Sequence, residues 1–128
     1  MFKQVTIAML LGMLGVSSAY ANQSSLEAQC RKLIKDVELM TAYTIPCEQN
    51  GAYLDSIEDK VFKKIEPLAK QCESNLPKAT FDSLVQQVQA ELKPEFDKLG
   101  KQLEADDAYH EAYCKSSRVH LDELIKSY

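Results

Sequence analysis

Ser24-Ser25-Leu26-Glu27-Ala28-Gln29-Cys30-Arg31-Lys32-Leu33-Ile34-Lys35-Asp36-Val37-Glu38-Leu39-Met40 is the stretch from which the fold is read. Leu26, Cys30, Leu33, Ile34, Val37 and Met40 or Thr41 recur at three- and four-residue steps. At 3.6 residues per turn that spacing places them on one side of an α-helix. Arg31, Lys32, Lys35 and Asp36 fall mostly on the other side. Ser24 and Glu27 make an S-x-x-E capping box, in which the serine oxygen and the glutamate take up backbone donors left free at a helix start. The pattern fades at Tyr43, and Ile45-Pro46 stops the helix because a residue before proline avoids the helical region.

Working outward from this helix, the same period returns three times. Residues 45–53 read as a loop: Asn50-Gly51 has turn chemistry, but no alternating strand pattern flanks it. A second helix is expected to open around Asp55-Ser56-Ile57-Glu58 and to carry Leu54, Ile57, Val61, Ile65, Leu68 and Cys72 inward. Pro67 lies inside it and should kink it or weaken its last turns. After Asn75-Leu76-Pro77, Phe81, Leu84, Val85, Val88 and Leu92 mark a third helix. Its spacing resumes beyond Pro94 with Leu99 and Leu103, which reads as one long kinked helix, with two shorter ones as the alternative. Asp106-Asp107 starts a fourth, with Cys114, Leu121, Leu124, Ile125 and Tyr128 toward the interior. The expected fold is all-α: an antiparallel four-helix bundle with short connections.

Toward the N-terminus the sequence changes character. Lys3, the apolar run Val5–Val16 broken by Thr6 and two glycines, and the exit Ala19-Tyr20-Ala21 form a secretory leader with an A-x-A cleavage pattern. The run is shorter than the ~20 residues a spanning helix needs. Residues 1–21 are therefore expected to be a signal peptide and 22–128 a single helical domain with no membrane span, directed to the periplasm, or secreted if the source is not a Gram-negative bacterium. The leader holds one of the 15 basic residues and none of the 19 acidic ones, leaving the remainder at a net charge of −5. A mildly acidic chain without a basic stripe argues against nucleic acid or anionic lipid as partner.

Four cysteines in a small exported chain read as a disulfide framework. Cys30, Cys47, Cys72 and Cys114 are separated by 17, 25 and 42 residues, so no C-x-x-C motif for zinc, redox or haem attachment exists. Residues at one height in an antiparallel helical hairpin have a constant index sum. With a turn near residue 50, Cys30 faces a partner near 70, which is Cys72. The fourth helix returns past the first loop near position 114. The pairing expected is Cys30–Cys72 with Cys47–Cys114.

That second bond would draw Tyr43, Tyr53, Tyr109 and Tyr113 to one end of the bundle. Tyrosine combines apolar area with a polar handle, so these four are the candidate protein-binding surface. Asp106, His110 and Cys114 lie at i, i+4 and i+8 with the residue types of metal ligands, but a disulfide at Cys114 removes its thiolate, and no metal is expected. Leu26–Cys30 and Ala108–His110 are similar in a few residues to the haem-ligand segments of small soluble b-type cytochromes. Cys30, however, stands where their methionine would be, and 18 residues follow His110, so no cofactor is expected. No G-x-S-x-G, H-E-x-x-H or phosphate-binding glycine loop is present. The acidic run 104–107 reads as a helix N-terminal charge preference. The functional expectation is a non-enzymatic helical interaction protein that binds another envelope protein, of the inhibitor or immunity type. The alternatives are a haem or metal carrier and an envelope-stress chaperone.

Overall fold

A computed structural model describes the backbone of residues 10–128 and side chains from Ser24 onward, and five helices occur among these described residues. The charged start of the expected leader, and the side chains around its cleavage pattern, lie outside the described residues. The helices are α1 (Leu10–Thr44), α2 (Glu48–Ser56), α3 (Glu58–Asn75), α4 (Lys78–Ala105) and α5 (Asp107–Lys126), and no strand occurs among the described residues. Two expectations are corrected. The capping box at Ser24–Glu27 does not begin a helix, because α1 is already under way at Leu10. No proline interrupts the chain between there and Pro46. The second correction is the count: five helices rather than four, the extra one occupying most of the segment read as a loop.

The extra helix has a local cause. Pro46 ends α1, and Cys47, in an extended conformation, then restarts helical turns, with Gly51 N–H donating to Cys47 O at 3.0 Å. Asn50 and Gly51 are turn formers by propensity, yet they sit inside α2. Tertiary contacts override that propensity: Asn50 is buried and Cys47 is covalently held.

Pro67 and Pro94 fall inside continuous helices α3 and α4. Each removes one backbone donor, and both rings face solvent. Asp106 caps α5 as its position suggests, its Oδ1 accepting from Ala108 N–H at 3.0 Å and Tyr109 N–H at 3.1 Å.

α1 is the element everything else packs on; it touches α2, α3, α4 and α5. Cys30 is bonded to Cys72 across α1 and α3, with Cα atoms 5.8 Å apart. Cys47 is bonded to Cys114, with Cα atoms 5.5 Å apart. These are the two pairs that the helix phases predict. Around the first disulfide, Leu33, Leu76 and Leu84 are buried, with Leu26, Ile34, Ile65, Leu68 and Phe81 packed against them. Met40, Val61, Val88, Leu92 and Leu121 complete the buried aliphatic set. Each such side chain contributes roughly 1.5–3 kcal/mol on removal from water. Exposed contacts from Arg31 to Gln87 (2.8 Å) and from Lys35 to Glu91 (3.5 Å) run up α1 and α4 in the same order. Those from Ala42 to Tyr113 and from Asp36 to Tyr128 run in opposite order along α1 and α5.

One position on α1 departs from its hydropathy. Val37 is 43% exposed, whereas the neighbouring Asp36 is 9% exposed. The carboxylate is tolerated because its Oδ2 accepts two hydrogen bonds, one of them from a cation. Lys32 Nζ donates to it at 2.7 Å and the hydroxyl of Tyr128 at 2.6 Å, while the Lys32 ammonium also lies 4.3 Å over the Tyr128 ring. The cluster pins the end of α5 to α1. Burial first, and then the hydrogen bond to Asp36, push the Tyr128 phenol well above the usual tyrosine range.

Two outcomes follow from this packing. A Cβ added at Gly100, within α4, meets no atom within 4 Å. Gly100→Ala is therefore expected to stabilise the protein by about 0.5–1 kcal/mol, read as a higher urea midpoint with unchanged slope. The second concerns pH. Below about pH 10 the Tyr128 phenol is protonated in both the folded and unfolded states. Above it the unfolded chain releases the proton first, so stability falls as pH rises through the raised folded value. Tyr128→Phe should flatten this alkaline fall in urea titrations between about pH 8 and 11; an identical fall would show that Tyr128 is not its source.

Candidate functional site

The end of the molecule where α1 passes into α2 is built almost entirely from backbone groups held by side chains. Thr44 closes α1, its Oγ1 donating to Met40 O at 2.8 Å, and Ile45 N–H bonds to Thr41 O at 2.9 Å. Cys47 N–H returns to Thr44 O at 3.1 Å. His110 Nε2 lies 2.6 Å from Pro46 O. A carbonyl oxygen only accepts, so the imidazole donates from Nε2. Cys114, one turn further along α5, is bonded to Cys47.

Asn50 completes the latch. Its amide donates to Tyr43 O at 3.0 Å, an end carbonyl of α1, and to Cys114 O at 3.1 Å in α5. The side chain is only 4% exposed, so one buried amide ties three helices together. Nothing in the hydropathy pattern marks Asn50 for this role; its type and its neighbour Gly51 point to a turn.

The structure divides the four tyrosines between two faces of α5. Tyr113 donates to Ala42 O at 2.7 Å, and Tyr43 lies stacked on His120 with ring centroids 5.9 Å apart; both belong to the α1 side. Tyr53, on α2, meets the stripe 114, 118 and 122: it donates to Asp122 at 2.7 Å, and the Arg118 guanidinium lies 3.3 Å from its ring centroid. Tyr109 is the outward one, 37% exposed. Burial raises the phenol pKa of Tyr43 and of Tyr113, and the Asp122 hydrogen bond raises that of Tyr53. Three of the four tyrosines thus spend their hydroxyl or ring on holding the helices in place.

What this end presents outward is different. Ile45 is 78% exposed on the rigid connector, and an open groove of about 810 Å³ lies beside it, lined by Pro46, Glu48, His110, Glu111 and Lys115. The expected i, i+4, i+8 set is not brought together as such, because Asp106 is occupied as the cap of α5. Instead a ring nitrogen of His110 and the sulfurs of Cys47 and Cys114 lie within 4.8 Å of one another. Cys30, in the place of a haem ligand, is consumed by its disulfide.

Comparison with protein-family models, curated proteins and solved structures gives no match. The fold and site therefore define the protein by class: an all-α chain cross-linked by two disulfides, with a latched connector at one end. Among the described residues no helix is long and apolar enough to cross a membrane.

Asn50→Ala removes the amide donor from Tyr43 O and the side-chain donor from Cys114 O in a buried position. A loss of about 2–4 kcal/mol in urea unfolding is expected, with both disulfides still formed by intact mass; a loss under about 0.5 kcal/mol would show that the amide is not the latch.

Proposed function

We propose that this protein is a non-enzymatic interaction module of the cell envelope, exported by the leader 1–21 and binding another envelope protein with the α1–α2 connector. In this reading the four long helices form an antiparallel bundle, kinked at Pro67 and Pro94, and α2 is a clamp laid over its end. The binding partner is an envelope enzyme that the module inhibits or neutralises.

The observation that carries the reading is Ile45. It is the most exposed of the large apolar side chains that remain solvent-accessible, its N–H is bonded to Thr41 O, and the next carbonyl, that of Pro46, is held by His110. A mobile loop would lose its freedom on binding, and each ordered segment would cost affinity. Here that ordering is already done by the disulfide, His110 and Asn50. Ile45, Pro46 and the outward Tyr109 supply apolar contact, and the groove beside them supplies charged groups of both signs, Glu48, Glu111 and Lys115. The half-buried tyrosines Tyr43, Tyr53 and Tyr113 support this surface from beneath.

A photoactivatable residue placed at 45 should cross-link one envelope protein, whereas the same probe at the exposed Phe62 on α3 should not. Ile45→Asp should weaken that complex at least about tenfold, about 1.4 kcal/mol, and Tyr109→Ala to a lesser degree, with helicity and disulfides unchanged. Equal cross-linking from 45 and 62, or undiminished affinity in both variants, would count against the assignment.

A further inference from the structure

The two disulfides differ in surroundings. Cys30 and Cys72 are 0% and 1% exposed in the core, whereas Cys114 is half-buried and borders the open groove. We infer that Cys47, His110 and Cys114 form a reductively unmasked binding site for a thiophilic divalent cation such as zinc.

Geometry gives the three donors. His110 and Cys114 are one helical turn apart on α5, the i, i+4 spacing that lets two side chains of one helix grip a single ion. Cys47 faces them from the connector, its Cα 5.5 Å from that of Cys114, and the three donor groups already lie within 4.8 Å. The Nε2 contact to Pro46 O at 2.6 Å fixes the ring orientation. A metal-binding histidine is commonly oriented in this way by a backbone carbonyl. Two cysteines and one histidine make a three-ligand set with a fourth position open to the groove, where Glu48 and Glu111 stand. The inference does not depend on the protein partner proposed above.

The unmasking step balances with a dithiol as reductant. A dithiol thiolate attacks the accessible Cys114 sulfur, the S–S bond breaks, and Cys47 leaves as thiolate. The second dithiol sulfur then releases Cys114 and closes a new disulfide. Two electrons pass to the protein, which gains two protons as its thiols form and gives both up when the cation binds. Cys47 suits the leaving role. It is the N-cap residue of α2, beside the first-turn amide groups of that helix.

The test uses the protein purified with both disulfides formed, under anaerobic conditions. On titration with a dithiol, alkylation and intact mass should show two reactive cysteines, mapped to 47 and 114, before four. After removal of the reductant, added zinc should be retained stoichiometrically by the reduced protein and not by the oxidised one. Cobalt in its place should give a thiolate-to-metal charge-transfer band. His110→Ala should weaken zinc binding by about 100-fold or more, since losing even an outer partner of a ligand costs 10–100-fold, with circular dichroism unchanged. The double variant Cys47→Ser, Cys114→Ser should abolish the cobalt band. Equal zinc retention by both redox forms, first reduction at Cys30–Cys72, or undiminished affinity in His110→Ala would each overturn the inference.

Discussion

The bond between Cys47 and Cys114 is the constraint on which the connector end of this molecule depends. It joins residues 67 apart in sequence. Closing so long a loop removes more freedom from the unfolded chain than a short cross-link does, about 4 kcal/mol in the chain-entropy picture. Its local consequence matters more here. A proline ends α1 two residues after Thr44, and the chain must turn at once into a nine-residue helix. Isolated helices of that length are marginal in water. α2 persists because Cys47 anchors its first turn, Asn50 donates into α1 and α5, and Tyr53 reaches Asp122 and Arg118.

The other disulfide has a different task. Cys30 and Cys72 sit inside an aliphatic cluster of Leu33, Leu76 and Leu84, where burial alone would bring α1 and α3 together. There the bond adds to a core that the hydropathy already dictates. At the connector end polar groups predominate, and the cross-link substitutes for apolar packing. Asp36, Lys32 and Tyr128 give a second polar tie, which fastens the last residue of the chain to α1.

Helices and cysteine phases were legible because both follow from the 3.6-residue period. Cys30 and Cys72 lie on the apolar stripes of their helices, and Asp106 stands at a cap position with its side chain aimed at free amides. Three features were not legible for physical reasons. Residues 48–56 contain turn formers, and only contacts distant in sequence make them helical. Asp36 looks like a solvated charge until Tyr128, 92 residues later, donates to it. The tyrosines look like one patch by spacing, yet α5 separates them, because residues 113 and 114 point to neighbours about 100° apart around the helix axis. Ile45 carried only the signal of a residue before proline; that it is displayed rather than covered depends on how the connector folds over Pro46.

The central claim is that this end is held as one latched unit, by Cys47–Cys114 and the hydrogen bonds around it, apart from the core at Cys30–Cys72. Hydrogen exchange on a Cys47→Ser, Cys114→Ser double variant tests it most directly. The account predicts lost protection in residues 42–56 and in the first half of α5, with protection retained around Cys30, Cys72 and Leu84. Uniform loss along all five helices, or no change at the connector, would contradict it.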